Sequence, residues 1–348
     1  MLTERQLMIL NQIIKHYIEY GEPMGSKTLL SETNLSVSPA TIRNEMMRIE
    51  ELGFLKKTHA SSGRIPSILG YRHYVDYLLQ QGLDSSSEEK MRKKIQQSIH
   101  SPYQEAQEMV EKSARMLSYL TNYTALSIGP EKINSKLTGF RLVPVTSGQY
   151  MAILVTDKGY IESKMFSLGR NFDSSKLEKI VTIFNDELTG LALSEVYKKL
   201  QTDIPALITK YVDYELDLFA IFKDIISKMD NDRVYVGGEM NLLNYFDFDQ
   251  LQDREKVKSL YSLIHESSEL RPLLLTDSNR ISVRIGTEMN NELLDNLSLI
   301  TATYSAGKRG TGMIALLGPT NMPYDEIIRI MRVTSDELSD SMQQFYEE

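Results

Sequence analysis

The segment VSPATIRNEM, residues 37–46, constrains the fold more tightly than any other stretch of the chain. A serine oxygen at position 38 can accept a free N–H of a first helical turn. Proline at the next position has no N–H to leave unpaired, so Ser38-Pro39 predicts a helix start. Ile42, Met46 and Ile49 recur at the spacing of one buried helix face, and Gly53 stands where the helix should stop. The opposite face carries Thr41, Arg43, Asn44 and, one turn on, Arg48. Short capped helices with surface arginine and asparagine are common, so the meaning of that face depends on its flanks.

Upstream, Thr3 and Gln6 have the spacing of a capping box. Leu7, Leu10, Ile14, Tyr17 and Ile18 then repeat at helical intervals up to Tyr20-Gly21. GEPMG turns the chain, and Ser26 is expected to cap a second short helix, KTLLSET, with Leu29 and Leu30 inward. NLSV connects it to the helix at Ser38. Downstream, Phe54-Leu55 predict a strand, ASSG a turn, and Ile65 a return strand ended by Pro66. Three helices and a two-stranded hairpin make a winged helix-turn-helix.

In that fold the third helix sets its first residues against base edges in the major groove. Ser38 and Thr41 then meet phosphate or base, and Arg43 and Asn44 are the types suited to guanine and adenine edges. Arg48 lies further along, toward phosphate, and the helix N-terminus itself favours phosphate. Lys56, Lys57, His59 and Arg64 bracket the wing turn and are candidates for the DNA backbone or minor groove. Ser26 and Lys27, at the start of the second helix, join the phosphate candidates. The same pattern also suits a winged helix that binds protein.

Charge speaks against nucleic acid only on average. The 348-residue chain has a formal net charge of -8, yet residues 1–75 hold nine Lys/Arg against seven Asp/Glu, and residues 40–72 six against three. This is a modest electropositive region on an acidic protein.

Other chemistries find little support. The chain has no cysteine, which excludes disulfides and thiol chemistry. MLTERQLMIL lacks the basic-then-apolar layout of a signal peptide, and no apolar run has membrane-spanning length. The five histidines lie far apart, so no metal site is expected. GKRGTG, residues 307–312, lacks the Gly-Lys-Ser/Thr ending of a phosphate loop, and YVGGEMN, residues 235–241, lacks a dinucleotide fingerprint. Asp247, Asp249 and Asp253 lack cation-loop spacing, and His265-Glu266 reads as an ordinary pair on a helix. No nucleophile, base and orienting group assemble, so no enzyme activity and no cofactor are expected.

Beyond the hairpin, GYRHYVDYLLQQ (70–81) is a periodic helix expected to pack on the domain before it, and GLDSSSEEK marks a boundary near residue 82. Residues 88–121 read as two helices broken at Ser101-Pro102. The basic cluster Lys90, Arg92, Lys93 and Lys94 reads as a solvated face, with extra phosphate contacts as the other reading. YTALSIG (123–129) and 139–168 read together as an antiparallel meander. From Ser174 to Ile226 amphipathic helices carry a heavy apolar load, including Ile180, Ile183, Phe184, Leu188, Tyr211, Tyr214, Leu216, Phe219, Ile221, Phe222 and Ile225. A small helical insert or a homodimer interface would each bury it. RVYVGG and ISVRIG read as strands, 293–307 with 310–319 as a hairpin, and the end of the chain as a helix.

LTERQLMIL (2–10), GEPMGSKTL (21–29), LSVSPATIRNEMMRIEELGFL (35–55), ASSGRIPS (60–67) and GYRHYVDYLL (70–79) together resemble the HrcA family of heat-inducible transcription repressors. RVYVGGEMNLLN (233–244), ISVRIGTE (281–288) and MIALLGPTNMPYDEII (313–328) extend the resemblance over the whole chain. Thr58 stands where the family commonly has proline, and Ile68-Leu69 where a polar pair is usual. The resemblance implies a cytoplasmic, nucleoid-associated homodimer that represses chaperone operons at an inverted-repeat operator, with the chaperonin maintaining its activity. The implied fold class is multidomain α+β. A winged helix-turn-helix domain with its trailing helix spans 1–82, followed by a helical linker at 83–122. A GAF-like α/β domain occupies 123–172 and 231–348, interrupted by an inserted dimerisation segment at 173–230.

Overall fold

The computed structural model describes residues 2–33, 35–57, 63–81, 88–99, 106–130, 135–157, 159, 161–167, 174–212, 234–246, 251–265, 270, 273–274, 280–307 and 310–347. It is a mixed helix-and-sheet, multidomain α+β protein. Its contacts divide it into two compact units, one of 1–128, 234–305 and 312–348, the other of 129–233 and 306–311.

The first unit begins with three helices, α1 (Glu4–Tyr20), α2 (Ser26–Glu32) and α3 (Pro39–Glu51), and an antiparallel pair, β1 (Leu55–Lys57) and β2 (Arg64–Pro66). The local signals hold. Thr3 and Gln6 cap α1 reciprocally, and Gly21 ends it at φ +69. Ile9, Leu10, Ile13 and Ile14 of α1, Leu29 of α2 and Ile42, Met46 and Ile49 of α3 are buried. Helix α4 (Ile68–Gln81) follows the hairpin.

The rest of this unit is built on five strands in the order β7 (Val234–Gly237), β3 (Thr124–Ile128), β10 (Thr311–Pro319), β9 (Leu297–Ser305) and β8 (Ile281–Ile285). The segments 293–307 and 310–319, expected as a hairpin, supply the neighbouring strands β9 and β10. Helices α5 (Glu88–Ile99), α6 (Ala106–Thr121) and α10 (Tyr324–Glu347) pack together, α6 on β3 and β7 and α10 on β9. Leu126, Leu297, Leu299 and Leu317 instead share a core with Leu260, Leu263 and Ile264 of α9 (Leu251–His265). Side chains alternate across strands, so such a sheet buries both faces.

Residues 88–121 were expected within a linker, but they are packed structure. Ser113 of α6 hydrogen-bonds Ser127 of β3 at 3.0 Å. Arg92 of α5 reaches the buried Glu337 of α10 at 2.6 Å, so it leaves the basic cluster for an internal ion pair.

The second unit holds the meander β4 (Leu137–Thr146), β5 (Gln149–Thr156) and β6 (Ile161–Ser167) with α7 (Ser174–Leu188) and α8 (Leu193–Val212). Phe140, Ala152 and Leu154 on one sheet face pack with Ile180, Phe184, Leu188, Val196 and Leu200. Sequence reading placed 123–129 in the same meander and the insertion boundary after 172. The structure divides the chain near Ile128 instead, because β3 pairs with β7 and β10 while β4 pairs with β5. Helix α8 runs through Pro205 without a break. Tyr214, Leu216, Phe219, Ile221, Phe222 and Ile225 lie outside the described residues.

Candidate nucleic-acid interface

The third helix starts as its sequence dictates. Ser38 sits in extended backbone at the N-cap. Its Oγ accepts from the Thr41 N–H at 3.1 Å and lies 2.9 Å from Thr41 Oγ1. The Ser38 hydroxyl is therefore engaged in capping before any ligand arrives. At the far end, Gly53 N–H donates to the Glu50 carbonyl at 2.9 Å and Phe54 N–H to the Ile49 carbonyl at 3.1 Å. With Gly53 at φ +86, this is a Schellman closure.

Between these ends α3 is two-sided. Ile42, Met46 and Ile49 face the core, whereas Ala40, Arg43, Asn44, Met47 and Arg48 form one exposed stripe. Thr41 is half-buried on its margin. Next to Thr41 on the same margin, Gln6 of α1 donates from Nε2 to Glu45 Oε2 at 2.9 Å, and Arg5 lies 3.7 Å from the same carboxylate. Helices α1 and α2 are joined by Glu32, which takes Gln12 and His16, each at 3.0 Å. The stripe thus stands on a braced scaffold.

Ser26, expected to cap α2, is instead its first residue, and extended Gly25 holds the cap without a side-chain bond. A glycine is an accepted N-cap, so the helix starts one residue earlier than the serine suggested. Ser26 is half-buried and Lys27 exposed.

The hairpin pairs Leu55 with Pro66, Lys56 with Ile65 and Lys57 with Arg64. Lys56 and Lys57 are exposed, while His59 lies outside the described residues. Arg64, a candidate for the DNA backbone or minor groove, is turned inward. Its side chain is only 12% exposed, and its Nε donates to Glu50 Oε2 at 2.7 Å. Its backbone N–H and carbonyl both pair with Met24, in the α1–α2 connector, at 2.9 and 3.0 Å. Lys57 Nζ lies 3.5 Å from Glu50 Oε1, with 40% of its side chain exposed. Glu50 was passed over in the sequence. The available signal was an acid on the edge of the buried stripe, one residue after Ile49, in a neighbourhood otherwise rich in basic residues.

Helix α4 ties this assembly to the five-stranded sheet. Ser67 Oγ accepts from the Gly70 N–H at 3.0 Å and donates to the Gly53 carbonyl at 2.6 Å. One turn on, Arg72 grips Glu288 through two bonds of 2.9 and 2.7 Å, pairs with Asp76 at 3.1 Å and donates to the Val283 carbonyl. Burial pulls the Arg72 pKa down, but Glu288 and Asp76 outweigh it and the net shift is upward. The Tyr71 ring lies 5.8 Å from that of Tyr324, and burial raises both phenol pKa values. The expected packing of α4 on the first domain is thus half of its role.

Features weighed for other chemistry are structural where they are described. A Cβ on Gly237 would lie 2.4 Å from the Ala114 carbonyl oxygen, and Gly238 takes φ +66 against Ser118, so the paired glycines let β7 end against α6. Gly312 is filled by the Tyr304 ring. Asp247, Asp249 and Glu266 lie outside the described residues, and His265 meets Glu239 at 3.3 Å. Among the described residues no acidic or histidine cluster could hold a metal, and no helix is long and apolar enough to cross a membrane.

Residues 107–328 match the family model described as HrcA protein C terminal domain. Over 346 residues the chain is 45% identical to the heat-inducible transcription repressor HrcA of Tetragenococcus halophilus, covering 99% of this chain and 98% of that one. It is 45% identical over 349 residues to the protein of the same name in Enterococcus faecalis, with 99% of each covered. A crystal structure of a hypothetical protein at 2.2 Å resolution matches with a TM-score of 0.68 at 23% identity, over 99% of both chains. That likeness concerns the fold alone.

Proposed function

The chain belongs to the HrcA family of heat-inducible transcription repressors, and from that premise we propose that it is a sequence-specific DNA-binding repressor of chaperone operons. The family is one of repressors, not of enzymes. The observation that carries the proposal is the exposed stripe of α3: Arg43, Asn44 and Arg48 on a helix capped by Ser38 and braced through Glu45 and Glu50. We read residues 1–82 as a winged helix-turn-helix with its trailing helix, with α3 in the major groove and the β1–β2 hairpin as the wing. Arg43 and Asn44 read base edges. Ser38 and Thr41 hold the helix start near base or phosphate, and Arg48, Lys56, Lys57, Ser26 and Lys27 track the backbone. His59 joins the wing contacts from outside the described residues. The five-stranded sheet with its helices is read as the GAF-like domain.

The repressor acts as a homodimer on an inverted repeat, since two-fold protein symmetry requires a palindromic site. The outer face of the meander supports this. It presents Val143, Met151, Ile153, Val155, Ile161 and Met165, several of them exposed, opposite the face that packs on α7 and α8. Arg141 and Ser163 flank Ile153 on the same face, and exposed apolar surface with polar residues at its edges marks an interaction site. By family resemblance the chaperonin keeps the dimer competent in the cytoplasm, and heat or loss of chaperonin releases the operator.

Fluorescence anisotropy on a palindromic promoter duplex and a scrambled duplex, over a salt series, tests the reading. Arg43→Ala is expected to reduce preference for the palindrome by about tenfold, the scale of one lost bidentate base contact. Lys57→Ala is expected to weaken both duplexes alike and to lower the salt slope by about one. If Arg43→Ala keeps the wild-type preference, the base-reading role fails. Light scattering at micromolar concentration tests the dimer, and a monomer would overturn it.

A further inference from the structure

We propose that Glu50 is a positioning residue for DNA binding, an acid inside a DNA-binding face that strengthens rather than opposes the complex. The inference rests on the reading of α3 and the hairpin as the DNA-contacting elements, and goes beyond it by naming what sets their relative position. Glu50 lies in the last turn of α3. One carboxylate oxygen takes Arg64 of β2 at 2.7 Å and the other faces Lys57 of β1 at 3.5 Å. A single side chain thus bridges the reading helix to both strands of the hairpin.

The surroundings make this bridge selective. The hairpin is short, with three residues in each strand, and a two-stranded pair of that size is marginal by itself. Arg64 is fixed at its backbone by Met24, and a Cβ on the preceding Gly63 would come within 2.4 Å of the Met24 carbonyl oxygen. Strand β2 is therefore pressed against the α1–α2 connector, and Arg64 extends from that fixed point to Glu50. The guanidinium is largely buried and its geometry matches a carboxylate, the pairing for which arginine is preferred over lysine. Lys57 differs: its ammonium is at the outer edge of the pair and is exposed enough to meet a phosphate. Arg64 is thus a strut and Lys57 a contact, and Glu50 holds both at a set distance from Arg43 and Asn44.

This assignment and simple electrostatics predict opposite signs. Removing an acid near a phosphate backbone should tighten binding and steepen its salt dependence. Under the positioning role, Glu50→Gln lets the hairpin drift from the groove. Operator affinity is expected to fall by about tenfold, and the salt slope to become shallower by roughly one to two as hairpin phosphate contacts are lost. Arg64→Gln is expected to act in the same direction, and the double variant to be no worse than Glu50→Gln, which already breaks the Arg64 pair together with the Lys57 contact. In the free full-length protein, both single variants should speed hydrogen exchange at the hairpin amides. That readout needs no DNA, and Arg64→Gln carries it alone if Glu50→Gln does not fold. Glu50→Gln binding the operator as tightly as wild type or tighter would overturn the proposal, as would additive losses in the double variant or unchanged exchange. If the wild-type protein shows no preference for the palindrome, the wider DNA reading fails, and the exchange measurement still decides whether Glu50 holds the hairpin.

Discussion

Replacing Phe184 with alanine is expected to destabilise the unit spanning 129–233 and 306–311 by about 3–5 kcal/mol, the range for deleting a buried aromatic ring. Phe184 is fully buried on α7, with its ring 5.1 Å from that of Phe140 on β4. Around them stand Leu137, Leu154, Ile180 and Leu188, all from one sheet face and one helix. The surrounding side chains are already packed and relax only partly, so the cavity term adds to the lost transfer energy. Chemical denaturation followed by circular dichroism checks it, and suits a chain with no tryptophan. Two transitions are expected from two units, and Phe184→Ala should move one of them. Because the outer face of the same sheet is the proposed dimer surface, dissociation at lower dilution should accompany the loss. Phe166→Ala, on the margin of the core, should have a smaller effect. Transitions that match the wild type would contradict the packing of α7 on the meander.

The second large effect has a sign that helix propensity gets wrong. Gly70→Ala in the first turn of α4 would ordinarily stabilise by about 0.4–1 kcal/mol, through the unfolded chain. Here an added Cβ would stand 2.3 Å from the Phe54 carbonyl oxygen. That neighbour is backbone and cannot rotate away. Phe54 also donates the N–H that closes α3 onto the Ile49 carbonyl. Overpacking against it is expected to cost about 1–3 kcal/mol and to loosen the end of the proposed reading helix, so operator affinity should fall together with the melting temperature. Gly139→Ala is the control, since a Cβ there meets nothing within 4 Å. A rise in melting temperature for Gly70→Ala would show that α4 and the α3–β1 corner do not meet as described.

Much of the candidate interface was legible in the sequence. The cap at Ser38, the capping box at Thr3 and the stop at Gly53 are local hydrogen-bond patterns, and each formed where its residues predicted. The buried and exposed faces of α3 followed from the helical period alone. Arg64, a candidate for the DNA backbone or minor groove from its place beside the wing turn, pairs with Glu50 through a contact that no local pattern records. A basic residue beside a turn is usually solvated, but this one points back to an acid fourteen positions earlier. Ser26 was misread for a smaller reason: serine and glycine both cap helices, and the choice between adjacent candidates depends on backbone angles.

The amino-acid sequence by itself determined where the helices of the first seventy-five residues begin and end, and which side of α3 meets water. Those features rest on contacts within one or two turns. Tertiary structure alone decided that β3 leaves the meander for a sheet with β7 and β10, that α5 and α6 are packed layers, and that α4 serves two neighbours at once. The bonds from Arg72 to Glu288 span 216 positions. No local period records which distant carboxylate an arginine will find, because that pairing is set by the burial of the surfaces on either side of it.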